Sequence, residues 1–71
     1  MDRELVDSSL LRSVGYDMHS SILEVELAES GWIYEYYDVP FSVFEELMAA
    51  ESKGSYFNEF IKDIYAAQRM Q

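Results

Sequence analysis

Ile22-Leu23-Glu24-Val25-Glu26-Leu27 alternates apolar and acidic residues, and after Ser30-Gly31 the run Trp32-Ile33-Tyr34-Glu35-Tyr36-Tyr37 alternates again. Successive side chains of a strand point to opposite faces, so each run reads as a strand and Ser30-Gly31 as the turn of a hairpin. One face then carries Leu23, Val25, Leu27, Trp32, Tyr34 and Tyr36; the other carries Glu24, Glu26 and Glu35 among Ile22, Ile33 and Tyr37. A two-residue loop places Leu27 opposite Tyr34 and Val25 opposite Tyr36. A four-residue loop slips the pairing by two and leaves both faces unchanged. The apolar face is expected to be the core. The acidic face is expected to meet solvent, because burying three carboxylates with few cations is costly.

Upstream, Ser9 to Asp17 reads as a preceding strand. Leu11 and Val14 are three apart, which predicts a bulge or bend near Ser13 or Gly15, and Met18–Ser21 makes the connecting turn. Downstream, Pro40 ends the hairpin and suits a first helical turn, and Phe41, Phe44, Leu47 and Met48 follow helical spacing. Gly54 reads as a left-handed cap closing that helix, and Ser55 as the N-cap of a second. The second helix would turn Phe57, Phe60 or Ile61, Ile64 and Tyr65 inward. Residues 1–7 read as a frayed start and 67–71 as a tail. The expected architecture is α+β: one domain over residues 8–66, a three-stranded antiparallel meander with two C-terminal helices packed on one face, in the order β-β-β-α-α.

A chain of 71 residues buries only about 60% of its unfolded surface, and without Cys it has no disulfides to help. Its four Phe, six Tyr and one Trp are therefore expected to serve the core first. On that basis the Tyr34-x-Tyr36 pair is assigned to packing over base stacking. A single His, His19, argues against a metal centre, and no cofactor motif is present. His19 lies in one turn with Asp17, Ser20 and Ser21, but neighbours in a turn do not orient a nucleophile, base and orienter. The chain reads as non-catalytic. No apolar run approaches the ~18 residues of a membrane span, which points to a cytoplasmic protein without membrane contact.

Net charge is −9, unevenly spread. Residues 1–52 carry 12 acidic and 2 basic side chains; residues 53–71 carry 2 acidic and 3 basic. An anion is tolerated only in the last third, where Lys53, Gly54, Ser55, Asn58 and Lys62 surround a helix start with free N–H donors. These five are the candidate anion or nucleic-acid contacts. The competing reading there is an ordinary capped helix–helix turn, with Asn58 bonding back toward the cap.

Ser8-Ser9, Val14-Gly15-Tyr16-Asp17, Tyr34-Glu35-Tyr36, Val39-Pro40 and Ser52-Lys53-Gly54-Ser55-Tyr56-Phe57-Asn58 with Ile61 together resemble the KTSC domain. That family is named for its place at the C-terminus of some lysyl-tRNA synthetases and also occurs as stand-alone small proteins. The resemblance runs from about Ser8 to Tyr65, with Tyr56 where the family usually has Phe and Lys62 at the basic position after the isoleucine. It implies a small binding module associated with RNA or tRNA, and a structural role for Gly15, Tyr16, Tyr34, Tyr36, Pro40 and Phe57. The alternative is a protein–protein adaptor using the acidic surface and the open sheet face. A monomer or a weak homodimer through Ile22, Ile33 and Tyr37 is expected.

Overall fold

A computed structural model describes residues 1–71. The central hairpin joins β3 (Ile22–Leu27) to β4 (Ile33–Tyr36), with Val25 opposite Tyr34 and Leu23 opposite Tyr36. That is the register of the longer loop. The Leu27 N–H donates to the Trp32 carbonyl and the Gly31 N–H to the Leu27 carbonyl, while Gly31 takes the positive φ of 73° that closes the turn. β2 (Leu11–Asp17) pairs antiparallel with β3, and its register shifts between Leu11 and Ser13. The extra residue, Arg12, explains the spacing: across a bulge, Leu11 and Val14 both turn inward.

The sheet has five strands, not three. β1 (Glu4–Leu5) pairs with β2, and β5 (Ala67–Arg69) pairs with β4, giving the order β1-β2-β3-β4-β5. The stretches read as a frayed start and a tail are thus the two sheet edges. Strands of two and three residues are too short to show alternation; backbone hydrogen bonding to a formed neighbour orders them.

Two helices cover the other layer. α1 (Phe41–Ala49) follows Pro40 at its N-cap, and α2 (Lys53–Phe60) follows it after a short turn. The core between the layers joins Leu11, Val14, Leu23, Val25 and Tyr36 of the sheet to Leu47, Phe57, Val39 and Ile61. The Tyr36 ring meets Phe57 edge-on with centroids 5.5 Å apart. Tyr16 stacks on Phe44 at 5.1 Å, and its hydroxyl donates to the Val39 carbonyl at 2.6 Å, which ties β2 to the entry of α1. Two inner-face expectations fail: Trp32 is 44% exposed, and Ile64, beyond the end of α2, lies outside the core. Of the alternatives Phe60 and Ile61, Ile61 is the buried one.

The acidic face is not bare. Glu24 is only 9% exposed, because Arg3 crosses β2 and donates to its carboxylate, with Nε also bonded to Ser13 Oγ at 2.9 Å. Ser13 in turn donates to Glu26 at 2.8 Å, and Tyr37 bridges Glu35 to Gln68 of β5. Arg3 lies 21 residues from Glu24, so alternation alone could not reveal the partner that permits burial.

Candidate functional site

Ser52, not Ser55, caps α2: its Oγ accepts the Ser55 N–H at 3.2 Å and donates to Ser55 Oγ at 2.9 Å. Both serines satisfy the N-cap preference, and the helix start settles which one serves. Gly54 is therefore inside the first turn and not a left-handed cap; α1 ends on Ala50 in extended conformation. What selects glycine there is space. A Cβ on Gly54 would stand 3.2 Å from Leu10 Cβ. Lys53 is also partly committed, its Nζ donating to the Ala50 carbonyl at 3.1 Å.

The start of α2 faces the Ser8-Ser9 loop across a polar cleft of about 440 Å³. Lys53, Gly54, Ser55 and Asn58 line it, but so do Asp7 and Glu51. The loop is self-bonded: Ser8 Oγ accepts the N–H groups of Leu10 and Leu11, each at 3.2 Å. Two carboxylates in the wall weaken this cleft as an anion site.

Lys62 lies elsewhere. It lines a second groove of about 410 Å³ between β4 and α2, with Trp32, Tyr34, Tyr36, Phe57, Asn58 and Asp63 among the walls. Leu10 and Asn58 border both clefts, so the five sequence candidates divide over two sites with Asn58 common to both. The Tyr36 hydroxyl is pushed up by burial, with Tyr34 and the nearby Asp63 charge adding to it. At the far end the Arg69 guanidinium sits 4.2 Å from the Trp32 ring centroid. Arg3 pairs with Glu24 and Arg12 with Glu26, whereas neither Lys62 nor Arg69 has a carboxylate partner. Trp32, Asp63 and Arg69 escaped the sequence reading. The clue available was the place of Trp32 just before β4, beside the turn, where burial is rarely complete.

The His19 turn holds no triad geometry. Asp17 accepts the backbone N–H of His19 at 2.9 Å, and that bond, with one from Ser20, holds its carboxyl below the usual range. No group of three His, Cys, Asp or Glu side chains is placed to hold a metal, and no helix is long and apolar enough to cross a membrane.

The family model of the KTSC domain matches residues 7–65. The chain belongs to the KTSC domain family. A crystal structure of a KTSC domain protein from Yersinia pestis superposes with a TM-score of 0.94 at 34% identity, covering 99% of this chain and 97% of that one. A protein of Stutzerimonas stutzeri (strain A1501) is 47% identical over 62 residues, 87% of this chain and 86% of its own length. A lysine–tRNA ligase of Nostoc punctiforme is 38% identical over 64 residues, 90% of this chain but 11% of the ligase. The KTSC domain thus occurs both as a small protein and as a minor part of a tRNA ligase.

Within this KTSC domain the motif residues have visible packing roles. Tyr16, Tyr36 and Phe57 make the contacts described above, Pro40 starts α1, and Tyr34 packs at the core margin while lining the groove. Gly15 serves close approach: a Cβ there would lie 2.5 Å from the Asp2 carbonyl oxygen and 3.1 Å from Arg3 Cγ.

Proposed function

We propose that this KTSC domain is a non-catalytic, cytoplasmic binding module for short single-stranded RNA, held in the groove lined by Asn58 of α2 and by Lys62 just beyond its end. The observation behind this reading is the pairing of cations. Lys62 and Arg69, neither with a carboxylate partner, flank the groove where Trp32 and Tyr34 remain accessible, while Lys53, also without one, is turned to the Ala50 carbonyl. Single-stranded RNA is bound by such combinations, phosphates on cations and bases on aromatic rings. The match to a segment of lysine–tRNA ligases supports the same reading. Net −9 makes the rest of the surface repulsive, so only a strand short enough to stay over residues 53–71 is accommodated.

The test is fluorescence anisotropy of a labelled single-stranded RNA at increasing salt. Two phosphate contacts give a log–log slope of about −1.4. Lys62→Glu with Arg69→Glu is expected to abolish binding while the melting temperature holds. Absence of binding at low salt, or binding indifferent to both substitutions, overturns the proposal.

A second reading, a protein-interaction adaptor, draws on exposed Phe60 (48%) and Ile64 (65%). The open sheet face does not support it, since Arg3 and Glu24 close part of that face and Ile33 is buried.

A further inference from the structure

We infer that the groove between β4 and α2 is a pocket for one unstacked nucleobase, with guanine preferred over uracil. This rests on the RNA reading and adds to it the atoms that would choose the base. The walls are the first argument. Trp32, Tyr34, Tyr36 and Phe57 line a groove of about 410 Å³, within the size range of small-ligand sites. Aromatic side chains offer a base the flat surface it leaves behind when it unstacks.

Charge is the second argument. The cations nearest the groove, Lys62 in its wall and Arg69 over Trp32, have no carboxylate partner, so they complement the phosphates on either side of a docked base. An apolar peptide side chain would fill the same walls but leave these cations unanswered.

Base choice follows from the polar wall. Asp63 is an acceptor, Lys62 beside it a donor, and Asn58 can do either. The Watson–Crick edge of guanine presents two adjacent donors, N1–H and the 2-amino group, next to the O6 acceptor. Two donors suit the two oxygens of the Asp63 carboxylate, and O6 suits Lys62 or Asn58. Uracil presents one donor between two carbonyl oxygens, so one carbonyl would face the carboxylate. Unpaired polar edges of that kind are what discriminate bases.

Trp32 is the single tryptophan, so its fluorescence and its indole N–H resonance report this groove alone. The experiment titrates the protein with the ribohexanucleotides UUGUUU and UUUUUU at low salt, following Trp32 and, in parallel, anisotropy of the labelled RNA. The expected result is Trp32 quenching with UUGUUU at about tenfold tighter affinity than UUUUUU. Asp63→Asn is expected to bring the two affinities together while leaving the melting temperature in place. Equal quenching by both RNAs overturns the guanine assignment. Anisotropy binding with no change at Trp32 overturns the pocket and leaves RNA binding standing. Absence of binding in both channels overturns the pocket together with the RNA reading.

Discussion

Arg3 reaches the carboxylate of Glu24 by passing over Gly15, the one residue of β2 at that point with no side chain to obstruct it. Glu24 stands opposite Glu35 in the hairpin, so pairing Glu24 with this guanidinium also offsets the repulsion between two like charges that face each other across the ladder. Gly15 and Arg3 are thus one device. Arg3→Ala leaves a largely buried carboxylate without its donor and is expected to cost about 1–3 kcal/mol. Gly15→Ala is expected to cost a similar amount by displacing the N-terminal segment. Because both act through the same segment, the double variant in urea melts should lose clearly less than the two single losses added together. Full additivity would show that Gly15 is selected for another reason.

For Gly54 the discriminating series is Ala against Asn. A left-handed cap would favour Asn; the contact with Leu10 Cβ at 3.2 Å favours the smaller residue. Gly54→Ala gains helix propensity of about 1 kcal/mol, which offsets part of the crowding. Gly54→Asn brings a larger side chain to the same wall and is expected to melt lower than Gly54→Ala. The reverse order would restore the capping role.

The N-cap assignment has its own check. Ser52→Ala removes the acceptor of the Ser55 N–H and is expected to cost about 1 kcal/mol, whereas Ser55→Ala costs less. Thermal melts of the two variants compare them directly.

Ile61 lies just beyond α2 and is fully buried. Ile61→Ala is expected to cost about 2–4 kcal/mol, as core truncations do, and Ile64→Ala, at an exposed neighbour, less than about 0.5 kcal/mol. Similar losses at both positions would mean that the turn after Phe60 packs differently.

Tyr56 provides a pH signature. Burial, and then its 2.8 Å hydrogen bond to Glu46 with the charge of that carboxylate, push its hydroxyl up to about 12. The folded state therefore keeps a proton that the unfolded chain releases near pH 10. Stability from this contact is complete below the unfolded value and is lost as pH rises toward 12. Ultraviolet titration should show a late-ionising tyrosine, and Glu46→Gln should move it back toward the ordinary range.

The hairpin and the two-layer arrangement were legible because Leu23, Val25, Tyr34 and Tyr36 each sit at an alternating position with enough length to establish a period. Leu11 and Val14 exposed the bulge through their spacing. What stayed hidden depends on partners distant in sequence: Arg3 on Glu24, Leu10 on Gly54, and β5 on β4. Local pattern also gave the wrong weight to Gly54, since a glycine near a helix end signals a stop unless another chain segment presses on it. The candidate site was half legible. Lys62 and Asn58 stood out by charge and position, but Arg69 joins them only through a strand too short to recognise, and the parity that placed Trp32 on the face of Tyr34 and Tyr36 could not tell that it lies uncovered beside the turn.

The positions of β1 and β5 bear on how this domain is cut from longer chains. The family model spans residues 7–65, a segment that omits Arg3 and both edge strands. A fragment trimmed to those limits would present β2 and β4 as raw edges, strip Glu24 of its cation, and leave Trp32 without Arg69. Raw edges invite pairing with other chains, so such a fragment is expected to aggregate more readily than the full 71 residues. The stretch by which the family is recognised is shorter than the sheet it belongs to.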